Sequence, residues 1–428
     1  VKNIFVFGAD DFDLAEMRSL PGAGDWRFHT LFSHEEVKAG PEFPVRRLYE
    51  DAQQRLQAFP DSIDAIVGYW DFPVSTMLPL LRRRFDLPTP SFEAVLKCEH
   101  KYWSRLEQQR VIPAYVPAFC AIDPFADQPR RQLDLDYPFW IKPVKSASSF
   151  LGFMVRNDAE FEHAIRVTRR NIFRFAKPFN YLLQFADLPD TISPIDGNHC
   201  IAEAVISRGR QCTLEGYVQN SEVCVYGVVD SIREGRHRSS FSRYQYPSLI
   251  PRRVQRRMVA VTARFLTHID FDDGPFNIEY YWDSQHDSIR LLEINARISK
   301  SHCPLFRHVD GVSHHQVMLD TALGRRPDFP HRQGRYRYAA KFMWRMHEDA
   351  VVTRFPSEAE LEALHRRFPS AEILFNVRPD MKLSELSDQD SYSYEIGVIF
   401  LGGRSQSDLL HKYRAIREEI PLGLEPVS

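Results

Sequence analysis

"LLEINARISKS", Leu291 to Ser301, sets Glu293, Asn295 and Arg297 at every second position after an apolar pair. Alternate residues of a β-strand point to one face, so these three line a single surface. Two oxygen ligands and a guanidinium suit a metal-bound phosphate, although a solvated sheet face carries the same alternation. Just upstream, "PFNIEYYW" (275–282) reads as a partner strand, joined through the polar turn "DSQHD" (283–287). A turn centred on His286 places Glu279 directly across from Glu293, and a one-residue slip would carry Glu279 to the other face. Opposed carboxylates repel; a divalent cation between them turns the repulsion into ligation. With the Asn295 amide oxygen, the set of hard ligands suits Mg²⁺, which keeps several waters and takes phosphate oxygens for the rest.

Around this hairpin lies a chain of 428 residues, 43% apolar and 13% aromatic, enough for several structural units with sizeable cores. With 55 basic and 57 acidic side chains, the balance favours neither nucleic acid nor an anionic membrane. The six cysteines form no CxxC pair, which argues against a zinc ribbon or redox motif and for reduced thiols in a cytoplasmic protein. No apolar run reaches the length of a membrane span. The opening "VKNIFVFGADDFD" reads as a first strand rather than a signal peptide, with a processed or trimmed N-terminus.

"NIFVFGAD" and "DAIVGYWD" are buried strands, each followed by a helical stretch, and predict a parallel β-α-β unit. Neither a dinucleotide fingerprint nor a Walker loop is present. "KCEHKYWSRLEQQRVIP" (97–113) predicts one helix ending near Arg110. "DAEFEHAIRVTRR" predicts a helix capped by Asn157 or Asp158. From Cys200 to Ile232, alternating runs predict an antiparallel meander. "VQRRMVAVTARFLTHI" is amphipathic, with Val254, Met258, Val261 and Phe265 on its apolar side. Beyond Arg325–Pro327, strands and helices alternate in a smaller α+β unit.

Two lysines lie where phosphate ligands would be useful. Lys142 sits inside the apolar "PFWIKPV", where an ammonium is expensive to bury without an anionic partner unless it snorkels to solvent. Lys101 is on a helix, where a surface role is the ordinary reading. After Lys142, the "VKSASSFLG" turn offers backbone N–H groups and the hydroxyls of Ser146, Ser148 and Ser149, either as a phosphate lid or as a plain hairpin turn.

Helix lysine, strand lysine with its turn, "AEAVISRGRQCTLEGYV", then "NIEYYWD…LLEINARIS": in this order the chain resembles the ATP-grasp superfamily, in particular the carboxylate–amine ligases related to carbamoyl-phosphate synthetase, biotin carboxylase and bacterial amino-acid ligases. The resemblance implies an α/β and α+β protein. Its parts are a Rossmann-like pre-ATP-grasp domain at 1–110, an ATP-grasp domain at 111–330 and a C-terminal α+β lobe at 331–428. It implies ATP and Mg²⁺ as cofactors. Lys101, Lys142, Ser148 and Ser149 would hold the ATP phosphates. Glu203 would bind the ribose, with the backbone of Ala204 and Val205 beside adenine, and Gln184 of "YLLQFADLP" is a rival for that hinge. Glu279, Glu293 and Asn295 would bind the metal, Arg297 the transferring phosphate, and Arg243 the substrate carboxylate. His302 and the His314–His315 pair read as capping or solvated residues.

The implied chemistry converts a carboxylate to an acyl phosphate, which an amine attacks, with release of ADP and phosphate. The partners are then a small-molecule acid and amine; a homodimer is compatible, and neither nucleic acid nor a membrane is implied. A nucleotide-binding regulator without catalysis, or a ligase with a non-amine acceptor, would share much of this pattern.

Overall fold

The computed structural model of the chain describes residues 1–40, 42–147, 150–234, 240–386 and 393–427. The first apolar run forms the strand Lys2–Ala9, buried from Asn3 onward. It lies between Trp26–Ser33 and Ala65–Val67 in a three-stranded parallel sheet. Parallel strands covered on both faces read as continuous apolar runs, which accounts for "IFVF" and "AIV". Gly8 adopts φ 79°, and a side chain there would strike Trp70, whose indole N–H donates to the Gly8 carbonyl at 2.6 Å. The turns holding Asp10 and Asp71 therefore leave from the same, carboxyl, edge of this sheet.

Besides an antiparallel pair of Ala350–Arg354 and Gly423–Pro426, the described residues form two larger antiparallel sheets. The smaller orders its strands Phe119–Ile122, Cys200–Ala204, Phe139–Pro143 and Phe153–Val155. Phe139, Ile141 and Ala202 pack there against Phe161, Ile165 and Ala176 of the helices Asp158–Asn171 and Phe173–Leu183. The larger runs Ser288–Asn295, Gly274–Asp283, Arg210–Gln219, Glu222–Ile232, Arg243–Tyr246, Tyr338–Met346, Tyr394–Gly403 and Glu372–Phe375. Strands from both sides of residue 330 thus share one sheet, joined where Arg243–Tyr246 pairs with Tyr338–Met346.

The expected meander from Cys200 to Ile232 needs correction. Cys200–Ala204 pairs with Phe119–Ile122 and Phe139–Pro143, and only Arg210–Gln219 and Glu222–Ile232 form a hairpin. All three runs alternate alike, but alternation does not say which sheet a strand joins. The single helix expected over 97–110 is two, Phe92–Glu99 and Lys101–Val111, broken at His100, whose imidazole accepts from the Trp103 N–H.

Helix Arg252–His268 buries Val254, Met258, Val261 and Phe265, as its period requires, against Cys212, Leu214, Tyr280 and Leu291. Each such side chain contributes about 1.5–3 kcal/mol relative to exposure. This apolar layer covers one face of the large sheet at the hairpin of Gly274–Asp283 and Ser288–Asn295 and leaves the other face to polar groups.

Candidate active site

The hairpin register brings Glu279 opposite Glu293, and Asn277 opposite Asn295. It does so by a route that alternation alone does not show. Nearer the turn the pairs are Asp283 with Ser288 and Tyr280 with Leu291. Continued without interruption, that ladder would set Glu279 against Leu292. A bulge between Tyr280 and Glu279 inserts Leu292 as an extra residue. Ile289, Leu291 and Ile294 consequently all point into the apolar layer, while Glu293 turns to the face of Glu279.

Both carboxylates are engaged. Glu279 accepts from Gln211 Nε2 at 2.6 Å, and Gln211 in turn accepts from Arg233. Burial, and then the nearby Glu293, raise Glu279 to about 7. Burial alone would raise Glu293 too, but Lys101 and Lys142 outweigh it and lower the group; Lys101 Nζ lies 2.8 Å from Glu293 Oε1. The Asn295 amide nitrogen donates to Asn277 Oδ1 at 2.9 Å, and Asn277 Nδ2 donates to the Arg297 carbonyl at 3.0 Å. Asn295 lies two residues after Glu293 and so shares its face of the strand. A carboxyl raised by burial and by a facing carboxylate, that second carboxylate and an amide on the same face fit Mg²⁺, whose charge favours ionisation of both.

On the small sheet, Lys142 Nζ lies 2.6 Å from Glu203 Oε2, and the other Glu203 oxygen accepts from Arg105 Nε at 2.6 Å. The anionic partner that Lys142 requires is therefore Glu203. Burial opposes ionisation of Glu203, yet Arg105 and then Lys142 hold it down to about 2. Lys101, Arg105, Lys142, Glu203 and Glu293 border one cavity between the two sheets. Lys101 Nζ also donates to the Ser146 carbonyl at 3.0 Å, which ties the turn after Lys142 to the same place. Ser148 and Ser149 lie outside the described residues.

The chain crosses from the small sheet to the large one over residues 205–209, between Cys200–Ala204 and Arg210–Gln219. Gly209 holds φ 87° in that crossing, and a side chain there would strike the Trp282 backbone. The Ala204 N–H is already given to the Ala118 carbonyl at 2.9 Å, so it is Val205 that opens the crossing. Gln184 caps the helix Phe173–Leu183 and is not part of it.

Arg297 Nη2 lies 3.0 Å from Asp71 Oδ2, at the carboxyl edge of the parallel sheet, and its Nε is buried without a partner. Asp71 is also 3.6 Å from Lys145, which is 2.9 Å from Glu99. The cations Lys145 and Arg297 hold the Asp71 carboxyl well below the usual range against the effect of burial. Arg243 is a correction. Its neighbour Tyr244 pairs with Ser231, which pairs with Gln211 on the Glu279 face. Arg243 therefore points to the opposite face, pairing with Phe342 and bridging to Glu234 at 2.8 Å. Of the histidines, His302 and His314 stand at helix N-cap positions, as expected, but without a side-chain cap bond, and none is solvated. All three are buried, with His302 Nδ1 2.7 Å from Glu215 and His314 Nδ1 3.0 Å from the Tyr226 hydroxyl. The buried Glu215 gives His302 a partner that solvent would otherwise supply.

Sequence reasoning missed Arg105, Asp71, Lys145 and Gln211 as parts of the site. Arg105 carried a signal, being one helical turn after Lys101 and so on the same face. Asp71 carried another, as the first acid past the end of a parallel strand, where ligands of such sheets gather.

No family model matches the chain, and no curated protein matches its sequence. Solved structures do match in shape. An L-amino acid ligase from Bacillus licheniformis superposes with TM-score 0.74 at 18% identity, covering 100% of this chain and 99% of that one. The chain has the ATP-grasp fold. Phosphoribosylglycinamide synthetase from Anaerococcus prevotii matches with TM-score 0.63 at 12% identity, over 99% of this chain and 100% of that one. A β-γ-ATP complex of biotin carboxylase from Campylobacter jejuni gives 0.63 at 13%, over 99% and 92%.

Proposed function

We infer that this ATP-grasp chain is an ATP-dependent ligase that activates a carboxylate as an acyl phosphate and joins it to an amine, releasing ADP and phosphate. The observation that carries this reading is the facing pair Glu279 and Glu293, with Asn295 on the same strand face and Lys101 alongside. Full-length similarity in shape to an amino-acid ligase and to other ligases supports it.

A carboxylate is a poor electrophile until one oxygen is made a leaving group. Phosphoryl transfer asks the protein mainly for positioning and charge neutralisation. Lys142, steadied by Glu203, and Lys101 supply positive charge for the phosphates. Mg²⁺ on Glu279, Glu293 and Asn295 would neutralise phosphate oxygens and hold them in line. Arg297, aimed by Asp71 and carrying an unpartnered Nε, is the group for the transferring phosphoryl or the acyl phosphate. Its fixed fork suits either oxyanion. The amine needs no covalent help from the protein once the acyl phosphate exists.

An ADP-release screen over carboxylic acids, each with and without amines, tests the reading. An acid that supports ADP release should give a hydroxamate when hydroxylamine is the only acceptor. ADP release independent of every acid would overturn the ligase assignment.

A further inference from the structure

We propose that Arg105 is the positioning residue that keeps Glu293 on the metal face, by holding open the Leu292 bulge, and that it links this bulge to the nucleotide lysine through Glu203. The inference rests on the reading of Glu279, Glu293 and Asn295 as magnesium ligands.

The bulge decides which way Glu293 points. Leu291 faces the apolar layer with Ile289, and in an unbroken strand Glu293 would share that face. The inserted Leu292 reverses it on an edge strand, whose outward carbonyls have no neighbouring strand to donate to them. Buried carbonyls of this kind need donors. Arg105 supplies them: Nη1 donates to the Leu291 carbonyl at 3.0 Å and Nη2 to the Leu292 carbonyl at 2.8 Å.

The rest of the same guanidinium is committed as well. Nε donates to Glu203 Oε1 at 2.6 Å, and Nη1 to Gln108 Oε1 at 2.6 Å on its own helix. Arg105 is 2% exposed, so water does not share these contacts. One rigid fork thus joins three elements: helix Lys101–Val111, the small-sheet strand ending at Ala204, and the metal strand. Lys101, one turn earlier, grips the Glu293 carboxylate itself. The helix thus holds the backbone just before the glutamate and the glutamate's own side chain.

A lysine at 105 could pair with Glu203 but could not also reach both carbonyls with fixed geometry. Arg105→Lys should therefore separate two properties that calorimetry reads on folded protein. ADP affinity in EDTA is the reference for each variant, and the gain in ADP affinity on adding Mg²⁺ should fall by about tenfold or more against it. In Arg105→Ala both should fall, and added methylguanidinium should restore the Mg²⁺ gain. Circular dichroism and melting confirm that each variant is folded. A folded Arg105→Lys that keeps the full Mg²⁺ gain would overturn the proposal, as would a folded Arg105→Ala that methylguanidinium does not restore. If the unsubstituted protein itself shows no Mg²⁺ gain, the magnesium reading fails first, and that result is distinct from either variant outcome.

Discussion

Glu203 shows how a buried carboxylate becomes a structural part of a binding site. Its two oxygens are shared between Arg105 and Lys142, and its pKa falls from 4.5 to about 2. A group depressed in the folded state contributes stability that is present above the unfolded value and lost as pH falls through the folded one. For Glu203 that window runs from about 4.5 down to about 2. The shift corresponds to roughly 3 kcal/mol. Glu203→Gln should be less stable than the parent at pH 7 by an amount of that order, and urea titrations should show the gap shrinking as pH drops below 4.5. A gap independent of pH would remove the charge from the account. Asp71 offers a second test at this scale. Asp71→Asn leaves Arg297 without its carboxylate, and a lost charge-assisted bond of about 1.5–3 kcal/mol predicts a fall in acid-dependent kcat of tenfold or more. Turnover near that of the parent would show that Arg297 is aimed by something else.

Among elements, the hairpin 274–295 carries most of the site, and its bulge is the part the sequence disclosed least. Opposition of Glu279 and Glu293 was legible from the polar turn and the alternation. It was reached with a turn centre half a residue from the observed one, and the bulge offsets the difference. The spacing of Ile289, Leu291 and Ile294 is the trace of that bulge, because an unbroken strand keeps its apolar positions two apart. Deleting Leu292 should restore an unbroken ladder in which Glu293 directly follows Leu291 and so still faces Glu279. Mg²⁺-dependent nucleotide binding should then survive the deletion. Loss of Mg²⁺ dependence in a folded deletion variant would contradict the register argument. Lys142 was legible for a different reason: an ammonium in an apolar strand demands an anion, and Glu203 meets that demand. Arg243 followed from the resemblance alone, which gives a stretch of chain and not the face on which a side chain lies. Its pairing with Phe342 puts it on the far side.

Over the whole molecule, composition and periodicity conveyed a parallel unit, then antiparallel strands and a closing α+β stretch, and the similarity of motifs conveyed the fold. The assignment of Cys200–Ala204 to the small sheet was not legible, since both sheets are built from strands of the same alternating kind. It matters for function, because it makes 205–209 the crossing between the sheets and puts Glu203 at its edge. Gly209 within it holds a backbone angle that other residues adopt only under strain. Gly209→Val should therefore destabilise the protein by about 1–3 kcal/mol in denaturant titrations. An unchanged midpoint would mean that the crossing adapts freely.

The carboxyl edge of the parallel sheet delivers Asp71 to Arg297, the small sheet delivers Lys142, and the large sheet delivers Glu279 and Glu293. Acyl-phosphate formation is what this convergence is taken to serve, and oxygen transfer reports it directly. With an accepted acid labelled with ¹⁸O in its carboxylate, turnover in the presence of amine should yield ADP and phosphate that carries one labelled oxygen from the acid. Unlabelled phosphate, or label appearing in AMP with release of pyrophosphate, would contradict the account.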